Sequence, residues 1–471
     1  MALHHLLACL GPLEVRGVEA AARAAWLHAT GYRLLQGEAL GRFAELSPAV
    51  LALLTCHPSG HVRASALGRL GQRGALRVAW PFLLLRLNDW VPQVREAAAG
   101  ELARALDEVP PPVLVQHLPL LDWLEGAQRL DAGPLVARVE ERLSRADTLG
   151  LLEARLADPA GSWTAGRSTA PSAAEAGAAE AGAAAGADLP AEAGGTAEGG
   201  RAGRGGAEAA ARLRAWRLLW AARPSAHTRL LLRALEDGHA PVRRWAAARA
   251  AELPEGEGLQ RVLLRMGHSP LAVVRREACV LAASQGRAAL AGAGAQVLRA
   301  ALFDPSRLVR AHAQRHLARE SDVAGLYRQA VQEEHALAEA LAGLGETGGA
   351  GAGGAGDAAL VALFLAHARP QVRARAAQAL ARLDPSGAAS LLPGLVGDLS
   401  PRVSRAAAAA LRRAGAPVAP ERLRRLLAQP AAPHVARHAR RLAEGLAEGL
   451  ARQEPGLARE LAALARAHGG S

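Results

Sequence analysis

Glu236–Leu253 reads EDGHAPVRRWAAARAAEL: the end of one helix, a tight turn and the start of a second helix. Asp237 and Gly238 are turn formers, and Pro241 suits a first helical turn because its missing N–H would have no partner there. Val242, Ala246 and Ala250 then follow at helical spacing and share one face. Alanine in the middle of that face lets a neighbouring helix approach closely.

The same pattern recurs with its valine at Val62, Val94, Val242, Val274, Val309, Val372, Val403 and Val435. The interval is 32 from Val62 to Val94, 32 from Val242 to Val274, 35 from Val274 to Val309, 31 from Val372 to Val403 and 32 from Val403 to Val435. Four residues after each valine stands alanine: Ala66, Ala98, Ala246, Ala278, Ala313, Ala376, Ala407 and Ala439. Arginine follows the valine directly at Arg63, Arg95, Arg243, Arg275, Arg310 and Arg373, and aspartate precedes it by five at Asp89, Asp237, Asp304 and Asp398. A period in the low thirties made of two helices predicts a solenoid, in which each repeat stacks only on its neighbours.

Aspartate, valine five places on and arginine directly after it resemble the HEAT-repeat family, in particular its short bacterial repeats of the phycobilin-lyase (PBS-lyase) type. Pro81, thirteen places before Val94, sits where that family often kinks its first helix. The resemblance implies an all-α, HEAT-like α-solenoid, a right-handed superhelix of helix pairs, over most of the chain outside one low-complexity linker. Ser404 and Ala436 depart from the pattern, with Arg405 and Arg437 one place later. The motif residues Asp89, Arg95, Asp237, Arg243, Asp304 and Arg310 read as structural. Aspartate at a helix start can accept backbone N–H bonds, and arginine one turn on can brace it or the neighbouring turn.

Half of the 471 residues are hydrophobic and only 3% aromatic, so the expected ribbon of core rests on Leu, Val and Ala. The formal net charge is +12, and all 56 basic residues are arginine. With so much Ala and Gly, that usage matches the codon bias of a GC-rich genome and makes a solvated basic surface the default reading. Three cysteines far apart exclude a disulfide framework and suit a reducing compartment. Leu6-Leu7-Ala8-Cys9 resembles a lipoprotein cleavage box, yet the charged start is missing and the apolar run is short for a signal peptide. No run reaches membrane-spanning length. A cytoplasmic protein is expected.

In chain order, residues 1–158 are expected to form an N-terminal HEAT-like array, opened by a degenerate capping repeat over about the first 45 residues. Residues 159–210, almost pure Ala, Gly, Ser and Glu, are expected as a flexible linker or an insertion between continuously stacked arrays. Residues 211–471 are expected to form the C-terminal array. The 63 residues from Val309 to Val372 hold two periods, and the middle unit, LYRQAVQEEHALAEALAGLG, has lost the motif.

Catalytic chemistry finds little support. GAGGAG at Gly351–Gly356 matches G-x-G-x-x-G, but a dinucleotide fingerprint follows a strand and this one follows a helix. His312 with His316, and His434 with His438, have the spacing of two imidazoles that share an ion, without a carboxylate or thiol at ligand spacing and with arginines alongside. The metal-dependent hydroxylase of the HEAT superfamily uses His-Glu pairs, and the chain contains no His-Glu dipeptide. Cys279, next to Ala278, reads as core. No cofactor, metal or small-molecule substrate is indicated.

One pattern points to function. With Val, Val+4 and Val+8 buried, Val+2 and Val+6 face about the opposite way. Arg244, Arg276, Arg315, Arg405, Arg437 and Arg441 occupy such places, with Trp245 beside Arg244, whereas the first array has Ala64, Gly68, Glu96 and Gly100 there. In HEAT solenoids the second helices line the concave surface, so the resemblance implies an arginine stripe there. A non-catalytic scaffold that binds an acidic segment of a protein partner is the expected function. Nucleic acid is the alternative partner, as in the HEAT-like DNA glycosylases, although no matching Asp and Trp constellation can be placed. A role like that of the HEAT-like phycobilin lyases is a further alternative.

Overall fold

The computed structural model describes residues 2–28, 46–72, 75–125, 133–157, 163, 197–284, 292–348, 354–415 and 418–467, and every regular element among them is helical. The chain is an all-α solenoid of stacked helix pairs. Most of the linker expected at 159–210 lies outside the described residues; of that span, Trp163 and 197–210 are described. Two compact units result, Met1–Leu253 and Pro254–Ser471.

All eight motif valines are buried, as are the residues four and eight places later, from Val62, Ala66 and Leu70 to Val435, Ala439 and Ala443. The face chosen from periodicity alone is therefore the packed face. Proline opens the second helix at Pro92–Ala105, Pro370–Leu383, Pro401–Ala414 and Pro433–Leu450, where an N–H would be orphaned.

In the first unit, Gly60–Gln72 packs on Pro92–Ala105. The helix expected to restart at residue 211 begins at Ala197 and runs to Ala222. It packs on Leu118–Glu125, Ala146–Ala157 and Ala240–Arg249. Arg212 donates to Asp237 at 2.9 Å and to the Leu156 carbonyl at 3.2 Å, while Arg214 pairs with Asp122, Glu125 and Glu140. Ala211, Arg212 and Ala215 thus repeat the Val–Arg–Ala motif with alanine in the valine position, 31 residues before Val242.

In the second unit, Ala272–Ser284 packs on Arg307–Leu317, and Leu337–Thr347, Pro370–Leu383, Pro401–Ala414 and Pro433–Leu450 pack each on the next. Pro455–Ala467 covers the last of these. The unit that had lost its motif keeps its geometry, with buried Leu341 and Gly345 in the valine and alanine places. A methyl at Gly345 would lie 2.5 Å from the Ala379 Cα, closer than any carbon contact allows. Glycine stands there because two helix backbones nearly touch.

The turns explain the Asp and Arg recurrence. Asp89, Asp237, Asp304 and Asp398 each accept the backbone N–H two residues on, at 2.7–3.0 Å. His57, Ser269 and His367 do the same in repeats that lack the aspartate, so the position requires an acceptor. Each of the six motif arginines donates to the carbonyl six residues before it, at 2.6–2.9 Å. Four cross-repeat pairs follow, Arg63 to Asp89, Arg212 to Asp237, Arg275 to Asp304 and Arg373 to Asp398. Arg63, Arg275 and Arg373 each fasten their own turn and, at the same time, the turn of the following repeat.

Candidate anion-binding cleft

Arg310, like Arg95 and Arg243, makes no such pair with an aspartate of the following turn. It reaches Glu346 on Leu337–Thr347 with two bonds of 3.0 and 2.7 Å, and Gln314 adds a third at 3.1 Å. Arg307 and Arg382 approach the same carboxylate at 3.7 and 3.6 Å. One half-buried glutamate thus carries an arginine cluster, and its charge does not neutralise its surroundings.

Beside this cluster, the second helices Leu337–Thr347, Pro370–Leu383 and Pro401–Ala414 enclose a cleft of about 490 Å³. Ala374, Ala406 and Ala409 form part of its lining, with Arg375, Arg402, Arg405, Gln371, Gln378 and Glu339 around them. Ala374 and Ala406 also belong to the core cluster with Val403. The cleft follows from the repeat register. Ala374 is the Val+2 residue of its repeat and Ala409 the Val+6 residue of the next, places that hold Arg405 and Arg441 in other repeats. Small side chains where arginines would stand leave a hollow walled by arginines.

Arg375 is half-buried, and its one hydrogen bond to a described residue runs to Gln378 Oε1 at 3.2 Å. Burial, then the charge of Arg310, holds it below the usual guanidinium range, and Arg402 adds to this while Glu339 and Glu346 act against it. A guanidinium stays protonated regardless, so the shift means that its charge is poorly compensated. Arg402 and Arg405 are exposed and make no hydrogen bond or ion pair with a described residue. Glu339 is engaged by Gln371 at 3.3 Å. Donors in the cleft far outnumber acceptors.

The residues expected on the stripe fall into separate groups. Burial, then the charges of His434, Arg405, Arg437 and Arg441, lowers the His438 imidazole, and burial, then Arg315 and Arg276, lowers that of His312. Arg244 is exposed and Trp245 half-buried in the first unit. Trp245 is not an isolated aromatic: it meets Trp220 edge-on at 6.0 Å, and Trp220 stacks on His227. Arg375 and Arg402 were missed because they sit at Val+3 and Val−1, off the face that the single-helix template selects. Reading Val+3 of one repeat together with Val−1 and Val+2 of the next would have found them.

His434 and His438 have structural partners. His438 bonds the Ser404 hydroxyl at 2.9 Å, and that hydroxyl donates to the Val396 carbonyl at 2.7 Å, which shows how the repeat manages without its arginine. His434 bonds the Asp398 carbonyl at 3.1 Å. Among the described residues, no three potential ligands gather for a metal ion. Cys279 is buried and its thiol is pushed up to about 12 by desolvation, the opposite of an activated nucleophile. No described helix is long and apolar enough to cross a membrane.

Residues 358–465 match the family model of HEAT repeats. Among solved structures, the chain is similar to an engineered protein, 18% identical over 96% of this chain and 99% of that one, with a TM-score of 0.20. No curated protein matches. Residues 358–465 therefore carry HEAT repeats, the family that the recurring Asp, Val, Arg and Ala positions resemble.

Proposed function

We propose that the protein is a non-catalytic scaffold of the cytoplasm whose second-helix face binds an acidic segment of a protein partner. The observation that supports this reading is the cleft in which Arg375, Arg402 and Arg405 face a shortage of acceptors. An arginine cluster with too few carboxylates is costly until an anion meets it, and guanidinium forks fit carboxylates in a two-bond geometry. Arg437 and Arg441, exposed on the next second helix, extend the basic surface. Free thiols at Cys56 and Cys279 agree with a reducing compartment.

The test is a titration of the full chain with fluorescein-labelled deca-glutamate, against a variant with Arg402, Arg405, Arg437 and Arg441 all changed to Ser. Binding falls at least about tenfold in the variant and weakens with salt, because the charges are accessible. A labelled ten-nucleotide single strand serves as the competitor. If it binds more tightly than the peptide, with a log–log salt slope of several units, the ligand is nucleic acid and the acidic-segment reading fails. Equal binding by the variant and the wild type also overturns it.

A further inference from the structure

We propose that the cleft between Pro370–Leu383 and Pro401–Ala414 is a phosphate-recognition pocket for a phosphorylated serine or threonine within that acidic segment. This rests on the reading above and narrows it to one group at one place. Arg375, Arg402 and Arg405 against Glu339 leave an excess of two positive charges in the cleft. A single Asp or Glu side chain brings one negative charge and two oxygens. A phosphomonoester brings close to two negative charges and three acceptor oxygens, the better match in both charge and donor count.

Shape favours the same ligand. At about 490 Å³ the cleft falls within the size class of small-ligand sites, roughly 300–1,000 Å³, and can hold a phosphorylated side chain with its adjoining backbone. Its alanine-rich lining leaves that space open, and the arginines come from two successive repeats, so an anion bound there ties the repeats together. Nucleic acid fits poorly. Among the described residues, no aromatic side chain lines the cleft to stack a base.

Three labelled nonapeptides of identical glycine, alanine and serine composition around a central phosphoserine, glutamate or serine are titrated into the full chain. The phosphoserine peptide is expected to bind at least about tenfold more tightly than the glutamate peptide, and inorganic phosphate to compete with it. R375Q/R402Q is expected to reduce its affinity to that of the glutamate peptide. A409R, which places at Val+6 the residue that Arg441 and Arg315 are in their own repeats, is expected to block the cleft without unfolding the helix. Circular dichroism and a thermal melt check folding of each variant.

Equal affinity for the phosphoserine and glutamate peptides overturns the inference. So does a phosphoserine preference that survives both variants, or tighter binding of the ten-nucleotide strand than of the phosphopeptide. If deca-glutamate binding still depends on the arginines while phosphoserine shows no preference, only the phosphate pocket is lost. If both dependences vanish, the functional reading falls with it.

Discussion

Arg373 donates from Nε and Nη2 to the two carboxylate oxygens of Asp398, at 2.9 and 3.0 Å, across the boundary between one repeat and the next. The same arginine holds the His367 carbonyl of its own turn, and the same aspartate holds the Ser400 amide of its own. One ion pair thus couples two turns whose backbones make no ladder of their own.

Asp398→Asn tests that coupling. It keeps an acceptor for Ser400 and removes the charge, and should cost about 1.5–3 kcal/mol at neutral pH, the range for a hydrogen bond to a charged group. Burial pushes the Asp398 carboxyl up, but Arg373, the Ser400 amide and His434 together hold it below the usual range. A depressed folded pKa gives stability that is present above the unfolded value, about 3.9, and lost as pH falls through the folded one. Urea unfolding of variant and wild type should therefore differ at pH 7 and converge as the pH falls below the unfolded carboxyl value of about 3.9. A constant difference across that range would mean that the charge is not what matters.

His117 predicts an effect at milder pH. It is buried, with Nδ1–H donating to the Val113 carbonyl at 2.9 Å, and burial pushes its pKa down to about 4. Its neutral form is needed in the fold, so the stability is present above the unfolded value near 6.5 and is lost as pH drops through about 4. The loss amounts to roughly 3 kcal/mol at about 1.4 kcal/mol per pH unit. Thermal melts at pH 7 and 4.5 should show the first unit failing on acidification, and His117→Gln should flatten that response.

Gly345→Ala probes the close approach of Leu337–Thr347 and Pro370–Leu383. The added methyl meets the Ala379 Cα at 2.5 Å and its Cβ at 2.7 Å, so a backbone has to shift. Overpacking of this kind costs about 1–3 kcal/mol, more than the helix propensity gained from removing a glycine. An unchanged melting temperature would place the helix pair farther apart than described.

Arg375→Gln should separate stability from binding. The guanidinium is half-buried among Arg310 and Arg402, so removing its charge should leave the melting temperature equal to or above that of the wild type. Deca-glutamate binding should weaken in the same variant. A site that destabilises the free protein while serving a ligand is the usual trade between stability and function. A variant that melts earlier and binds normally would make Arg375 a structural residue.

The sequence made the repeat legible because buried valine and alanine recur at strict spacing, and all three positions of each face lie in the core. Three things escaped. Ala211, Arg212 and Ala215 are a repeat without its valine, hidden in an alanine-rich stretch with Gly206 where an aspartate would stand. The turn position accepts His57, Ser269 or His367 because any side-chain acceptor will serve, and an identity motif does not register that tolerance. The cleft escaped because its walls belong to two helices, and amphipathic templates treat each helix alone.

The Arg-to-Asp pairs also give the array a direction. Each pair sets a cation on one repeat against an anion on the next, as Arg275 with Asp304 and Arg373 with Asp398 do. The repeats that give these arginines carry Ser269 or His367 in place of an aspartate of their own. Two successive repeats therefore form the matched unit, and a copy of such a pair spliced in after another would bring both partners of its ion pair with it. Genetic duplication or deletion of whole pairs can then change the length of the array without leaving one of these charges unmatched.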